Sequence, residues 1–279
     1  MRIINSVREM AEASRKFRED GLTVGLVPTM GSLHDGHLSL VRLARKENSV
    51  NVLSIFVNPA QFGPGEDLDR YPRDLEGDTA KCRREDVDVV FAPDPADVYS
   101  PGFGTYVDVE GVSGVLCGAS RPGHFRGVAT VVSKLFNMVR PHRAYFGQKD
   151  YQQTVVIRKM VKDLDMDVEV AVGPTVREPD GLAMSSRNAY LKPDERMAAT
   201  KIYRALASAK SMRESGETAA DALLNKVRDM LREEQTLRLE YASLVDPDDL
   251  HELKNAVGKS VLAVAVRVGS TRLIDNIVI

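Results

Sequence analysis

Apolar, β-branched runs alternate with segments of helical period through the first two thirds of the chain, and this alternation limits the fold more than any other feature. Residues 22–28, 50–57, 87–91, 144–147 and 168–176 read as buried strands. Between them, residues 36–46, 72–84, 125–139 and about 149–164 have helical character. Within 125–139, Val128, Val131, Val132, Leu135, Phe136 and Val139 recur at i, i+3, i+4 spacing, the apolar face of one helix. Strands separated by helices run parallel in a sheet covered on both faces. The expectation is α/β: a Rossmann-like parallel sheet that binds ligands at the carboxyl ends of its strands.

After residue 176 the texture changes. Residues 177–187 form a polar loop holding Pro179-Asp180-Gly181, a strong turn signal. Helices are expected over 193–212, which opens with Pro193-Asp194-Glu195, and over 218–234. Three β-branched runs follow at 239–245, 261–268 and 273–279, the last two separated by Gly269-Ser270. Helices first and then strands around a glycine turn imply a smaller α+β domain. The division expected is a larger domain over residues 1–180 and a smaller C-terminal domain over 181–279.

Charge and cysteine content narrow the class. Lys plus Arg number 38 against 40 Asp plus Glu, a formal net charge of −2, which offers no global basic field for nucleic acid. The two cysteines, Cys82 and Cys117, stand far apart and in no CxxC or Cys/His cluster, so reduced, buried thiols are expected rather than a disulfide scaffold or zinc site. The N-terminal residues 1–10 have no apolar core, and the longest apolar runs are strand-length, far short of a membrane span. The expected setting is cytoplasmic, with no membrane and no nucleic-acid partner.

Two stretches carry chemistry. Pro28-Thr29-Met30-Gly31-Ser32-Leu33-His34-Asp35-Gly36-His37-Leu38 follows the first expected strand and opens the first expected helix. Gly31 permits a tight strand-to-helix turn and Gly36 permits close approach of a ligand. The helix start presents free N–H groups to phosphate. His34 and His37, three apart, share a helical face and can stabilise charge on phosphate oxygens. A capped helix with two surface histidines is the alternative, and a metal pair lacks a third ligand nearby. In the second stretch, Met184-Ser185-Ser186-Arg187 joins two small hydroxyls to a permanent cation, a group suited to a triphosphate or to a simple helix cap.

Taken together, the two stretches resemble the HIGH and KMSKS signatures of the nucleotidylyltransferase superfamily, with Arg187 where the second signature lysine usually stands. The segments from Val57-Asn58-Pro59-Ala60-Gln61-Phe62-Gly63 to Tyr71-Pro72-Arg73, Arg121-Pro122-Gly123-His124-Phe125-Arg126-Gly127-Val128 and Tyr145-Phe146-Gly147-Gln148-Lys149-Asp150-Tyr151-Gln152-Gln153 resemble the pantoate–β-alanine ligase family. The resemblance runs from about residue 25 to 191 and returns at Arg272-Leu273-Ile274-Asp275-Asn276. Members often carry Glu where Gln148 stands.

This resemblance implies an ATP-dependent ligase that condenses pantoate with β-alanine through a pantoyl adenylate, releasing pyrophosphate and then AMP. It implies that Pro28, Thr29, Met30, Gly31, His34, Gly36 and His37 bind ATP, together with Gly147, Gln148, Lys149, Asp150, Val176, Met184, Ser185, Ser186 and Arg187. His37 is the expected catalytic residue, aided by His34, Lys149, Ser185, Ser186 and Arg187 on the phosphates. Gln61 and Gln153 are implied for pantoate, Gln61 also for β-alanine. Neutral amides bind a carboxylate without quenching its charge. His124 and Arg126, at a helix start, are placed to bind an anion or to cap the helix. Magnesium is expected with ATP, and among Asp74, Glu76 and Asp78 the ligand chosen is Asp78. Family members are commonly homodimers, so a homodimer is implied. Two rivals stay open at this point: a transferase that keeps the nucleotide in its product, and a non-catalytic nucleotide- or tRNA-binding module.

Overall fold

The computed structural model describes the whole chain, Met1–Ile279. Six strands form one all-parallel sheet: β1 (Arg2–Ile4), β2 (Val24–Thr29), β3 (Val50–Ile55), β4 (Val89–Phe91), β5 (Arg143–Gly147) and β6 (Glu169–Gly173). Their spatial order is β1-β4-β3-β2-β5-β6. The helices interleaved with them are α1 (Val7–Glu19), α2 (Asp35–Glu47), α3 (Leu75–Arg84), the short α4 (Pro95–Val98) and α5 (Cys117–Ser120), α6 (His124–Val139) and α7 (Tyr151–Asp163).

The strand sequences are continuously apolar because both faces of the sheet are covered. Val24, Leu26, Val50 and Val52 pack with Met10 of α1 and with Val128, Val132 and Leu135 of α6. Val27 and Leu53 point the other way, to Leu38 and Val41 of α2 and Cys82 of α3. From β2 the chain steps outward to β3 and β4, then returns through α6 to β5 on the opposite side. Loops leaving β2 and β5 therefore diverge and open a crevice at the strand ends.

The second part is helical and then antiparallel, as its pattern predicts. Helices α8 (Pro193–Glu214) and α9 (Ala220–Arg232) precede the meander β7 (Leu237–Val245), β8 (Val261–Val268) and β9 (Thr271–Val278). Leu206, Leu223, Val264 and Val266 build a core of its own, while Val245, Val261 and Ala263 face the larger core. Gly269, at φ +55°, makes the β8–β9 turn.

Some boundaries differ from the sequence expectation. The sequence expectation omits β1, only three residues long, and α1, an amphipathic helix whose Val7, Met10 and Phe17 meet the core from an otherwise polar segment. The strand and helix around the His34/His37 segment are thus second in the chain, not first. The 168–176 run leaves the sheet at Gly173 because Pro174 has no N–H to donate. The helix expected from 72 begins at Leu75, where Asp74 caps it by accepting from the Gly77 amide at 2.9 Å.

Candidate active site

Strand β2 ends at Thr29, whose hydroxyl donates to the Ser54 carbonyl (2.7 Å) and accepts from the Gly31 amide (3.1 Å). Gly31 sits at φ +84°, and a Cβ there would lie 3.0 Å from the Asp78 carboxylate and 3.1 Å from Ile55, so the turn calls for glycine. The next two amides, of Ser32 and Leu33, each donate to Asp78 at 2.7 Å. Lys81 Nζ holds the Leu33 carbonyl at 2.7 Å. A side-chain clamp on α3 thus shapes the loop that delivers His34.

His34 caps α2. Its Nδ1 accepts from the Gly36 amide (3.2 Å), and His37 Nδ1 accepts from the His34 amide (3.3 Å). A nitrogen that accepts an N–H carries no proton, so each ring holds its proton on Nε2 and keeps that donor free. The rings stand 4.1 Å apart between centroids. Burial, reinforced by Lys149, lowers His34 to about 4. Burial, the neighbouring His34 and Lys149 lower His37 well below the ordinary histidine value. Both imidazoles are therefore neutral donors near pH 7, not imidazolium cations.

Across the crevice, the Gln61 turn is fixed from several sides. Asn58, 1% exposed, donates to Gln61 Oε1 (3.0 Å) and to the Gly127 carbonyl (3.1 Å), and accepts from the Tyr99 hydroxyl (2.8 Å). Gln61 Nε2 reaches Met30 Sδ at 3.2 Å. A Cβ on Gly127 would fall 2.1 Å from the Ala60 carbonyl oxygen, so α6 approaches this turn only because residue 127 is glycine. Arg121 grips Glu66 with two bonds of 2.6 Å and donates to His124 Nε2 at 3.0 Å. An arginine only donates, so His124 carries its proton on Nδ1 and gives it to the Gln61 carbonyl at 2.8 Å. Burial and Arg121 lower His124 to about 4. His124 is thus a neutral brace rather than an anion site or cap, and Arg126 lies over the Tyr106 ring at 4.2 Å.

After β5, the turn Gln148–Asp150 carries Lys149, whose ammonium lies 3.6 Å from Asp150. Gln152, one residue before Gln153, is buried and pins the Val112–Cys117 segment by accepting from the Cys117 amide (3.0 Å) and donating to the Val112 and Val115 carbonyls (2.9 and 2.7 Å). On the remaining side, Ser185 caps the turn Ser186–Tyr190, and Ser186 Oγ donates to the Ser32 carbonyl at 3.3 Å. Arg187, expected on phosphate, makes a two-pronged pair with Asp67 at 2.9 and 2.8 Å.

These parts enclose one cavity of about 560 Å³, a size common for small-molecule sites. Pro28, Thr29, Met30, His34, Gly36, His37, Gln61, Gly147, Lys149, Asp150, Gln153, Val176, Met184, Ser185, Ser186 and Arg187 line it together. Gly31, Gln148 and Asp78 do not. Gly31 serves the turn, and Gln148 gives its carbonyl to Asn276 at 3.0 Å. The expectation of Asp78 as magnesium ligand is corrected: it is 1% exposed and each of its oxygens accepts a backbone amide. Sequence reasoning also missed the cavity's apolar wall, made by Phe56, Val128, Val131, Val132 and Leu135. The helical stripe pointed to the last four, but its spacing is the same for a packed core and for a cavity wall.

Neutral N–H donors at a helix start, facing a lysine across a strand-end crevice, suit charge that moves over phosphate oxygens. Fold and site together define a nucleotide-handling α/β enzyme. Residues 2–278 match the family described as Pantoate-beta-alanine ligase, and the chain belongs to that family. It is 56% identical over 279 residues to the pantothenate synthetase of Roseiflexus sp. (strain RS-1), covering 100% of this chain and 99% of the relative. It is 52% identical to that of Acetivibrio thermocellus, with the same coverage. The crystal structure of pantothenate synthetase from Thermus thermophilus superposes with a TM-score of 0.94 at 48% identity, covering 99% of each chain. The Francisella tularensis pantoate-β-alanine ligase, complexed with β-γ ATP and β-alanine, gives 0.82 at 35% identity, covering 99% of this chain and 97% of that one.

Proposed function

We propose that the chain condenses pantoate with β-alanine at the expense of ATP. The pantoate carboxylate attacks the α-phosphorus, and the bond to the bridging oxygen breaks with release of pyrophosphate. The amine of β-alanine then attacks the acyl carbon of the adenylate, AMP leaves, and the amine gives up a proton. A carboxylate is already nucleophilic, so the protein supplies positioning, charge stabilisation and exclusion of water. The observation that carries this reading is the pair of Nε2–H donors on His34 and His37 beside Lys149 at the β2/β5 crevice.

In this reading His37 and His34 donate to the phosphates as charge builds on them, and Lys149 adds a point charge. The clamp closes with Ser185, Ser186 and Arg187. Pro28, Thr29, Met30, Gly36, Gly147, Asp150, Val176 and Met184 shape the ATP site. Gln61 and Gln153 hold pantoate against the apolar wall, and Gln61 later meets β-alanine. ATP enters as its magnesium complex, with the ion on phosphate oxygens and water, since Asp78 is spent on the loop. Residues 1–180 act as the catalytic domain and 181–279 as its cover, a division supported by Arg272, Asp275 and Asn276 of β9 on the cavity wall. The working state is a homodimer, as the family resemblance suggests, in the cytoplasmic setting expected from the sequence. No helix is long and apolar enough to cross a membrane.

Pyrophosphate release from ATP and pantoate tests this directly. Stoichiometric release is expected without β-alanine, and turnover with AMP once it is added. A nucleotide conjugate in place of AMP overturns the ligase reading in favour of a transferase, and tight ATP binding without release overturns it in favour of a binding module.

A further inference from the structure

The stretch Arg272-Leu273-Ile274-Asp275-Asn276 has no part in the reaction as described above. Asn276 is 3% exposed and lines the cavity from β9. Its Nδ2 donates to the Gln148 carbonyl (3.0 Å) and the Lys149 carbonyl (2.8 Å). Only an NH₂ group can serve two carbonyls, so the orientation of the amide is settled. Its Oδ1 is left buried without a partner, a cost that calls for a reason.

What the two bonds hold is a short 3-10 turn, Gln148–Asp150, with no side-chain cap at its own start or at the start of α7. So short a turn has poor hydrogen-bond geometry of its own, and it carries Lys149. The strand doing the holding is itself anchored. Asp275, beside Asn276, makes a two-pronged bond to Arg177 at 2.6 and 3.0 Å, at the start of the loop that leads to Ser185 and Arg187.

We propose that Asn276 is a positioning residue for adenylate formation: it fixes the peptide groups of Gln148 and Lys149 and so aims Lys149 at the phosphates. This rests on the reading that Lys149 contacts ATP. The test measures single-turnover pyrophosphate release from ATP and pantoate in full-length Asn276→Ala, Lys149→Ala and the double variant, with the KM for β-alanine read separately. Asn276→Ala is expected to slow release roughly tenfold, about the worth of the lost hydrogen bonds, and to leave the β-alanine KM unchanged. The double variant is expected to be no slower than Lys149→Ala, because nothing is left to aim.

Parental release by Asn276→Ala overturns the proposal, as do losses that multiply in the double variant. Parental release by Lys149→Ala refutes the phosphate reading of Lys149, and the inference falls with it. Should Asn276→Ala fail to fold, Asn276→Ser, which keeps one donor, carries the same comparison: its loss must vanish in the Lys149→Ala background.

Discussion

In the proposed reaction the proton positions on His34 and His37 decide which donors face the phosphates, while the burial of His34 and His124 ties stability to pH. His37 offers Nε2–H because its Nδ1 is occupied by the His34 amide, so His37→Ala removes the donor while leaving the helix capped by His34. Loss of one such preorganised donor costs about 10²- to 10³-fold in rate, and pyrophosphate release by the folded variant should fall by that order. Near-parental release would remove His37 from the mechanism. Burial of these rings predicts a pH dependence of folding. His34 and His124 are lowered from 6.5 to about 4 by burial, helped by Lys149 and Arg121 respectively. Between those two values the unfolded chain binds more protons than the folded one, so stability is complete above pH 6.5 and declines as the pH falls toward 4. Melting temperature recorded across that window should drop. His124→Gln, which keeps an acceptor for Arg121 but cannot titrate, should show a shallower decline; an unchanged slope means that His124 does not contribute.

At the scale of elements, helix α3 matters to the site although it never lines the cavity. Its Asp78 satisfies two amides of the loop before α2, and those amides would otherwise be buried donors without partners. Asp78→Ala also leaves Lys81 without its neighbour at 3.8 Å. The expected cost is about 2–4 kcal/mol in denaturant unfolding, with slower adenylate formation because His34 loses its mount. Excess magnesium should restore neither; restoration of the rate by magnesium would return Asp78 to the role of metal ligand. An acidic residue near a phosphate site reads as a ligand from sequence, because spacing along α3 does not reveal that two amides, 45 and 46 residues upstream, occupy it.

Over the whole molecule, what was legible in the sequence follows from local pattern. Continuous apolar runs identified a sheet covered on both faces, and the glycine-flanked His34 and His37 identified the helix start at its crevice. The three-residue β1 is too short to show a period, and in α1 the stripe of Val7, Met10 and Phe17 is thin among polar residues. Contacts between distant segments were illegible for a different reason: nothing local in Asn276, Asp67 or Arg187 says which partner the fold will bring to it. The Arg187–Asp67 pair is the case with the largest consequence, since it joins the loop after Gln61 to the turn after Ser185 across the cavity mouth. Desolvation by itself raises the Asp67 carboxyl, but the bonds from Arg187 outweigh it and hold Asp67 below the ordinary carboxylate value. If Arg187 serves the triphosphate, ATP must compete with Asp67 for the same guanidinium. Asp67→Asn weakens that competitor and should tighten ATP roughly fivefold in titration calorimetry, about 1 kcal/mol, whereas Arg187→Ala should weaken it. An ATP affinity unmoved by either change would assign Arg187 to tying the two loops together and leave Lys149 as the cation on the phosphates.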